Sequence, residues 1–286
     1  MSQFILSAFA DEIADDLQTQ MDVLEEHGIY FIEMRGVNGR PLVQHNLAEV
    51  RAIKKQLNDR SFGISAIGSP IGKIKINEPF QPHLELFKHT LEIADILETC
   101  YIRMFSFFMP PGEDPRQYRS EVLRRWEALL QAAEGRGVVL LHENEKEIYG
   151  DTPERCVDLL TAFNNEHFKA VFDPANFVQC DVETYPKAYR LLADHVVYMH
   201  IKDAVYSDHH VVPAGYGDGK VQAILTALRR RGYQGFLSIE PHLGSFKGFA
   251  DLEPNSPSNQ LPEGGPKQFA IAVEALKKIL AEIEAI

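Results

Sequence analysis

The sequence predicts an α/β protein with a (β/α)8 barrel fold, formed as a single domain by residues 1–286. Eight short apolar runs, rich in β-branched and aromatic residues, recur along the chain, and each precedes a longer stretch with helical spacing of its apolar positions. Several runs are apolar almost throughout, which indicates strands buried on both faces of a parallel sheet. Eight such units in a chain of this length match a closed barrel, and an open, doubly wound sheet is the alternative.

The predicted strands follow one another along the whole chain. In order, they are residues 4–9, 30–34, 62–67, 101–107, 138–142, 169–172, 196–201 and 236–239. The first intervening helix is predicted over residues 16–27, with its apolar side chains on one stripe and Gly28 as the C-cap residue. Before a later helix, Thr152 occupies the N-cap position and Pro153 the first helical position. These boundaries support the alternation of strands and helices.

The composition excludes several classes of function. Lys and Arg number 29 against 41 Asp and Glu, and a chain with a net charge of −12 repels nucleic acid. The 45% of hydrophobic residues excludes disorder as the dominant state, and no apolar stretch is long enough to span a membrane. The three cysteines fit neither a disulfide framework nor a metal knuckle. We therefore expect a cytoplasmic protein with neither a nucleic acid nor a membrane as partner.

One long irregular segment, residues 243–266, separates the last predicted strand from the last helix. It holds four prolines and four glycines, and loops of this length are usually functional lids or interface arms. Its apolar residues Phe246, Phe249 and Leu252 predict that the loop is ordered by contact with substrate or with another subunit. We expect a rim loop on the catalytic face of the barrel and a homodimer or larger homo-oligomer.

Polar side chains that can bind metal follow four successive predicted strands. Glu143 follows the fifth apolar run, Asp173 the sixth and Glu240 the eighth, while His200 lies in the seventh. The carboxyl ends of the strands of a (β/α)8 barrel meet at one rim, so these side chains are expected to converge. A single acid at a strand end is usually a helix cap or a solvated loop residue. Three carboxylates and one imidazole from consecutive strands instead predict a site for Mn²⁺, Mg²⁺, Zn²⁺ or Co²⁺.

Four short motifs surround these residues. They are HENE (142–145), FDPAN (172–176), HIKD (200–203) and SIEPH (238–242), and a glycine-rich turn follows HIKD at 213–219. The motifs resemble those of the xylose isomerase-like TIM-barrel superfamily, also called the sugar phosphate isomerase/epimerase family. This resemblance covers essentially the whole chain. It implies a divalent metal ion held by the four residues at the strand ends.

The resemblance also implies an enzyme with a small-molecule carbohydrate substrate. In this family the two metal-bound glutamates move the proton next to a carbonyl, so Glu143 and Glu240 are the expected acid/base pair around a metal-stabilised enediolate. The expected activity is that of an isomerase or epimerase of a sugar, sugar phosphate or related hydroxy-ketone. A metal-dependent dehydratase (lyase) of a keto-polyol or keto-acid is the alternative, and a non-catalytic ligand-binding barrel is the third reading.

The DNA-repair branch of the same family is not expected here. That branch needs extra histidines at the ends of the third and fourth strands, where this chain has residues 68–69 (Gly-Ser) and 105–106 (Phe-Ser). Asn176 also stands where that branch has a second histidine. The acidic charge of the chain argues in the same direction.

Three further residues are candidates for contact with substrate near the predicted metal. Lys202 shares a strand face with His200, and either contacts a substrate oxygen or pairs with a barrel carboxylate. His242 shares a face with Glu240 in the same way. Asn176 is expected to touch substrate or to hold a metal ligand in orientation.

Two more candidates would bind an anionic group of the substrate. Arg35 follows the second strand and can bind a phosphate or carboxylate through two hydrogen bonds, the alternative being a surface ion pair with Glu33 or Glu12. Ser69 lies with Lys73 in the loop after the third strand and is a candidate for binding a phosphate, although the loop is not a Walker loop.

Overall fold

The structure is a computed structural model that describes residues 3–246 and 260–285. Within them, eight parallel strands close into a barrel, which confirms the predicted fold. The strands are β1 (Gln3–Ala8), β2 (Phe31–Met34), β3 (Gly63–Gly68), β4 (Tyr101–Met104), β5 (Val139–Glu143), β6 (Phe168–Phe172), β7 (Val196–Ile201) and β8 (Gln234–Ile239). Each strand pairs with its neighbours in chain order, and β1 pairs with both β2 and β8 to close the barrel.

Helices surround the barrel and connect consecutive strands. They are α1 (Leu17–Glu26), α2 (Leu47–Asp59), α3 (Gln81–Leu97), α4 (Arg119–Ala133), α5 (Pro153–Phe163), α6 (Pro174–Val178), α7 (Tyr189–Leu192), α8 (Val221–Arg230) and α9 (Pro266–Glu282). The connection from β6 to β7 is therefore made by two short helices, α6 and α7, and an intervening turn. None of the helices in the described residues has both the length and the apolar character of a membrane span.

The two helix boundaries predicted from sequence have the expected local chemistry. The Asp16 side chain accepts a hydrogen bond from the Thr19 amide at 2.8 Å and so caps α1, while Gly28 follows its end with a φ of +70°. The Thr152 side chain caps α5, and Pro153 is the first residue of that helix.

The fourth strand is shorter than the apolar run that predicted it. It ends at Met104, because the amides of Phe105 and Phe107 donate instead to Ile71 O (2.8 Å) and Gly72 O (3.0 Å) of the preceding loop. This close approach requires glycine at position 72, where a Cβ would lie 2.1 Å from Phe105 O and φ is +93°. The run from 101 to 107 is thus a strand that turns into a loop at the rim.

The buried apolar side chains of the described residues form one large cluster and two small ones. The large cluster lies between the strands and the surrounding helices and includes Trp126 of α4, which is fully buried. A small cluster inside the barrel comprises Ala66, Leu141, Val171 and Tyr198. Below the rim the barrel is therefore filled by side chains rather than hollow.

Most of the predicted rim loop, residues 247–259, lies outside the described residues, and the predictions for Phe249 and Leu252 lie there too. Phe246 is described, and its ring lies 4.4 Å from the guanidinium carbon of Arg35. The start of the loop thus contacts residues at the barrel mouth. The homo-oligomer stays a prediction.

Candidate metal centre

Four side chains from consecutive β-strand units converge at the carboxyl end of the barrel. Glu143 is the last residue of β5, Asp173 follows β6 as the N-cap of α6, His200 lies in β7, and Glu240 follows β8. Each is at most 4% exposed, and each offers one ligand atom, all of them within 4.8 Å of one another. The structure therefore brings together the four residues that the strand-end pattern singled out.

The imidazole of His200 lies at the middle of this cluster. Its Nδ1 faces the three carboxylates, at 3.0 Å from Glu143, 3.7 Å from Glu240 and 3.8 Å from Asp173. Its Nε2 lies 3.2 Å from both carboxylate oxygens of the fully buried Glu33. A carboxylate on one ring nitrogen orients the other nitrogen towards a metal. Nδ1 is thus the nitrogen available as ligand.

The electrostatic environment of His200 depends on the same carboxylates. Burial lowers the pKa of this imidazole, but Glu143 and Glu33 outweigh burial and hold the pKa well above its usual range. From sequence, Glu33 is only one of two alternative ion-pair partners of Arg35. The signal that would have found its role is an acidic residue in the last half of a barrel strand, similar to the signal that predicted the four candidate ligands.

The donor set fits a divalent metal. Three carboxylate oxygens and one imidazole nitrogen, all buried, suit Mn²⁺, Mg²⁺, Zn²⁺ or Co²⁺. A second group, Glu12, Glu240 and His242, also places its ligand atoms within 4.8 Å. The guanidinium of Arg35 donates to both carboxylates of that second group, however, and this fixed positive charge opposes a second cation there.

Around Glu143 the hydrogen-bonding capacity is incompletely used. Asn176 Nδ2 donates to Glu143 Oε1 at 3.0 Å, a contact that can hold this carboxylate in orientation. Arg103 Nη1 lies 3.4 Å from the other oxygen, Oε2. Within the described residues, Asn176 Oδ1 and Arg103 Nε are buried without a hydrogen-bond partner. An acceptor and a donor thus remain unused beside this carboxylate.

Around Glu240 several side-chain nitrogen atoms lie close to the carboxylate. Lys202 Nζ lies 2.9 Å away, Arg35 Nη1 2.9 Å and His242 Nε2 3.2 Å. Burial raises the pKa of this carboxyl, but Lys202 and His242 outweigh burial and hold the pKa well below its usual range. Lys202 also lies 3.1 Å from Asp173. Burial raises the pKa of Asp173 to about 6, although the charge of Lys202 acts in the opposite direction. The alternative reading of Lys202, a pair with barrel carboxylates, matches its position.

Arg35 occupies a different environment from the one predicted. Its guanidinium donates to three carboxylates, those of Asp11, Glu12 and Glu240, at 2.8 to 3.1 Å. The rings of Phe9 and Phe246 lie 4.5 and 4.4 Å from its guanidinium carbon. These contacts leave little capacity for a substrate anion, and three carboxylates repel one. The ion pair with Glu12 is present but buried, because both side chains lie under the rim.

The polar groups of the loop after β3, which were candidates for binding an anion, are used within the protein itself. Ser69 Oγ donates to Arg103 O at 2.5 Å and accepts from the Ile71 amide, so its hydroxyl stabilises the loop. Lys73 lies 3.3 Å from Glu145. The substrate-binding role predicted for Ser69 is therefore not favoured by its contacts.

The last residue of HIKD explains why a glycine-rich turn accompanies that motif. The carboxylate of Asp203 accepts backbone hydrogen bonds from Ala204, Gly215, Gly217 and Gly219. A Cβ at position 217 would lie 2.4 Å from Ala204 O, so the turn requires glycine there. The buried acid thereby ties the loop after β7 to the strand that carries His200.

Comparisons with known proteins agree with this architecture. A family model described as xylose isomerase-like TIM barrel matches residues 21–279. No curated protein shows significant sequence similarity to the chain. Many solved structures have a similar fold, and three of them are described next.

The first is a D-allulose 3-epimerase from Methylomonas sp. in complex with D-allulose, with a TM-score of 0.75 and 15% identity over 98% of each chain. The second is an IolI protein with a binding zinc atom, with a TM-score of 0.74 and 16% identity over 99% of this chain and 100% of that chain. The third is the probable 3-DHS dehydratase AsbF from Bacillus anthracis, with a TM-score of 0.71 and 15% identity over 96% of this chain and 98% of that chain. At these identities the likeness shows a shared fold.

Proposed function

The chain belongs to the xylose isomerase-like TIM barrel family, and from that premise we propose that it is a divalent-metal-dependent isomerase or epimerase. Its substrate is a sugar, a sugar phosphate or a related hydroxy-ketone. The observation that carries this proposal is the convergence of Glu143, Asp173, His200 and Glu240 on one buried point at the rim. The zinc atom of one structural neighbour and the D-allulose of another support the choice of metal and substrate class.

In this proposal the four side chains hold the metal and the two glutamates also carry protons. A divalent cation bound there would polarise the carbonyl and hydroxyl oxygens of the substrate and so acidify the adjacent C–H bond. Glu143 and Glu240 come from β5 and β8, which β6 and β7 separate in the barrel. Two carboxylates on different sides of a bound substrate can remove a proton from one face and return it to the other, as an epimerase requires.

The remaining polar groups near the cluster orient the substrate. Asn176 Oδ1 is buried without a partner and can accept a hydrogen bond from a substrate hydroxyl. Lys202 and His242 contact Glu240, so both can reach a substrate oxygen held beside that carboxylate. All three lie deep in the rim, where water is excluded and each contact is strengthened.

The dehydratase alternative is supported by a separate observation. The ammonium of Lys202 lies between Asp173 and Glu240, where it can donate a proton to a departing hydroxide. One structural neighbour with the same fold is a probable dehydratase. Loss of water, rather than a shift of position or configuration, would distinguish this reaction from isomerisation.

The test is incubation with ketoses, aldoses and their phosphates in D₂O with Mn²⁺, followed by NMR for deuterium next to the carbonyl. We expect deuterium incorporation that requires metal, that stops on chelation and that returns with Mn²⁺ or Co²⁺. Incorporation with a new epimer or isomer supports the main proposal, and loss of water supports the dehydratase. Bound sugar without any exchange would instead favour the non-catalytic ligand-binding barrel.

A further inference from the structure

Three arginines in the described residues are less than a tenth exposed, namely Arg35, Arg103 and Arg125. Each packs against two phenylalanine rings, at 4.4 to 5.6 Å from guanidinium carbon to ring centre. Burial of a guanidinium is costly unless hydrogen-bond acceptors replace the water it loses. The three side chains differ in how far the protein supplies those acceptors.

Two of the three are well supplied with acceptors. Arg35 donates to three carboxylates. Arg125 donates to the backbone oxygens of Ile76 at 2.6 Å and Glu78 at 2.8 Å, and to the carboxylate of Glu121 at 2.7 Å. Both arginines are therefore structural, each one joining segments that are distant in sequence.

Arg103 is the exception. Within the described residues its side chain makes no hydrogen bond, and its Nε is buried without a partner. The nearest carboxylate oxygens lie 3.4 Å from Nη1, on Glu143, and 3.8 Å from Nε, on Glu33. These ion pairs are longer than charged hydrogen bonds, which are typically about 2.7 to 2.9 Å. The guanidinium thus has charge compensation nearby but retains donors for a further acceptor.

The donors of Arg103 are directed into the barrel beside the metal centre. In the β4–β5 ladder Arg103 stands opposite Leu141, which belongs to the cluster inside the barrel. On the other side its neighbour is Gly68, where a Cβ would lie 3.2 Å from Arg103 Nη2. The absence of a side chain at position 68 gives the guanidinium its space under the rim.

We propose that Arg103 binds a carboxylate of the substrate, so that the substrate is a keto- or hydroxy-acid rather than a neutral sugar. This inference rests on the proposed function of the metal centre. The planar fork of a guanidinium matches a planar carboxylate through two parallel hydrogen bonds. Because Arg103 adjoins Glu143, the bound anion is attached at or next to the reacting carbons. A terminal phosphate of a sugar phosphate lies several bonds farther away.

The test measures ligand binding by calorimetry on the Mn²⁺-loaded protein. D-fructose and 2-keto-D-gluconate share a carbon skeleton and differ at C1, which is a hydroxymethyl group in the first and a carboxylate in the second. We expect the acid to bind at least about tenfold more tightly, as a charged hydrogen-bonded pair gives. Arg103→Met should reduce this preference to about onefold, so that the two ligands bind equally tightly. Arg103→Lys should retain only part of the preference, because lysine lacks the planar guanidinium fork.

Arg124→Met is the matched control, because it removes the same charge from a residue of α4 whose side chain is 58% exposed. It should keep the preference of the wild type. D-fructose 6-phosphate tests whether the group bound by Arg103 is a carboxylate or a phosphate. If this phosphate binds more tightly than D-fructose in a way that depends on Arg103, and the acid does not, the carboxylate assignment is wrong. The proposal is wrong if the wild type shows no preference for the acid, which includes the case in which the acid does not bind detectably. It is also wrong if the preference survives Arg103→Met.

A Mn²⁺ titration of each variant separates this inference from the proposed function. Retained Mn²⁺ binding without an acid preference contradicts only the role of Arg103. Absence of Mn²⁺ binding to the wild type contradicts the proposed metal centre, and the same ligand titrations on the metal-free protein then decide whether Arg103 selects acids.

Discussion

The two glutamates of the proposed metal centre lie in different kinds of environment. Glu240 lies within 3.2 Å of two cations, Lys202 and Arg35, and of the imidazole of His242. Glu143 contacts the neutral amide of Asn176, the imidazole of His200 at 3.0 Å, and one arginine at the longer distance of 3.4 Å. The two residues are alike in sequence, since each stands at the end of an apolar strand.

This difference separates two chemical tasks. A carboxylate held in its charged form by several cations is a good metal ligand and a poor acceptor of a proton, because protonation breaks those ion pairs. A carboxylate with fewer such partners accepts a proton at lower cost. We therefore expect Glu143 to remove the substrate proton and Glu240 to act mainly in holding the metal and in the return step.

The largest expected effect tests this division directly. Glu143→Gln keeps an oxygen ligand but removes the basic carboxylate, so deuterium exchange into the substrate should fall by roughly 10² to 10⁴ while most metal binding remains. Glu240→Gln should retain more deuterium exchange than Glu143→Gln but lose more of the product formation, because the substrate proton still leaves but is not returned. NMR exchange rates and metal titrations measure both. Near-normal turnover in both variants would show that the proton chemistry belongs to other residues.

The next effect concerns stability and compares Arg35 with Arg103. Arg35→Met leaves two buried carboxylates, Glu12 and Glu240, and the partly exposed Asp11 without their common partner, and the free energy of unfolding should fall by about 3 to 5 kcal/mol. Arg103→Met breaks no hydrogen bond within the described residues and should cost less. Urea denaturation measures both variants. Equal losses would contradict the view that only one of these arginines is structural.

A smaller effect is expected at Glu33, whose carboxylate orients the imidazole of His200. Glu33→Gln should weaken metal binding by about 10- to 100-fold, as is typical when the partner of a ligating histidine is altered. Glu49→Gln, which alters an exposed carboxylate on α2, is the control. An unchanged metal affinity in Glu33→Gln, with the fold verified by circular dichroism, would remove Glu33 from the centre.

The smallest effect concerns the loop that supports the Arg103 side of the site. His83 accepts a hydrogen bond from the Gly72 amide at 2.7 Å, and burial, with the nearby Arg125, lowers its pKa to about 4 from the ordinary 6.5. The folded protein therefore binds fewer protons than the unfolded chain between these values. The contribution of neutral His83 to the free energy of unfolding is fully present above the pKa that this residue has in the unfolded chain. It is lost as the pH falls through the pKa of His83 in the folded protein.

We accordingly expect the stability of the wild type to decrease by about 2 kcal/mol through His83 between about pH 7 and about pH 5. His83→Asn should flatten this part of the stability curve, which urea denaturation at several pH values measures. An identical slope in variant and wild type would show that the histidine does not stabilise the loop through its neutral form.

Much of the fold could be predicted because its signals are local. The eight strands lie within a few residues of the apolar runs, and the caps at Asp16 and Thr152 depend on side chains adjacent to the helix ends. The exception was the end of β4, where Phe105 and Phe107 pair with a loop more than thirty residues earlier in the chain. No local pattern reports such a partner.

By itself, the sequence determined the barrel and the residues at the ends of its strands, because parallel strands of a barrel bring their carboxyl ends to one rim. Only the tertiary structure decided what surrounds each of those residues. Arg35 reaches Glu240 across 205 positions of sequence, and His200 reaches Glu33 across 167. A hydrogen bond depends on the distance between atoms rather than on spacing along the chain. Only the folded molecule therefore shows that every guanidinium nitrogen of Arg35 has an acceptor, whereas donors of Arg103 remain unused.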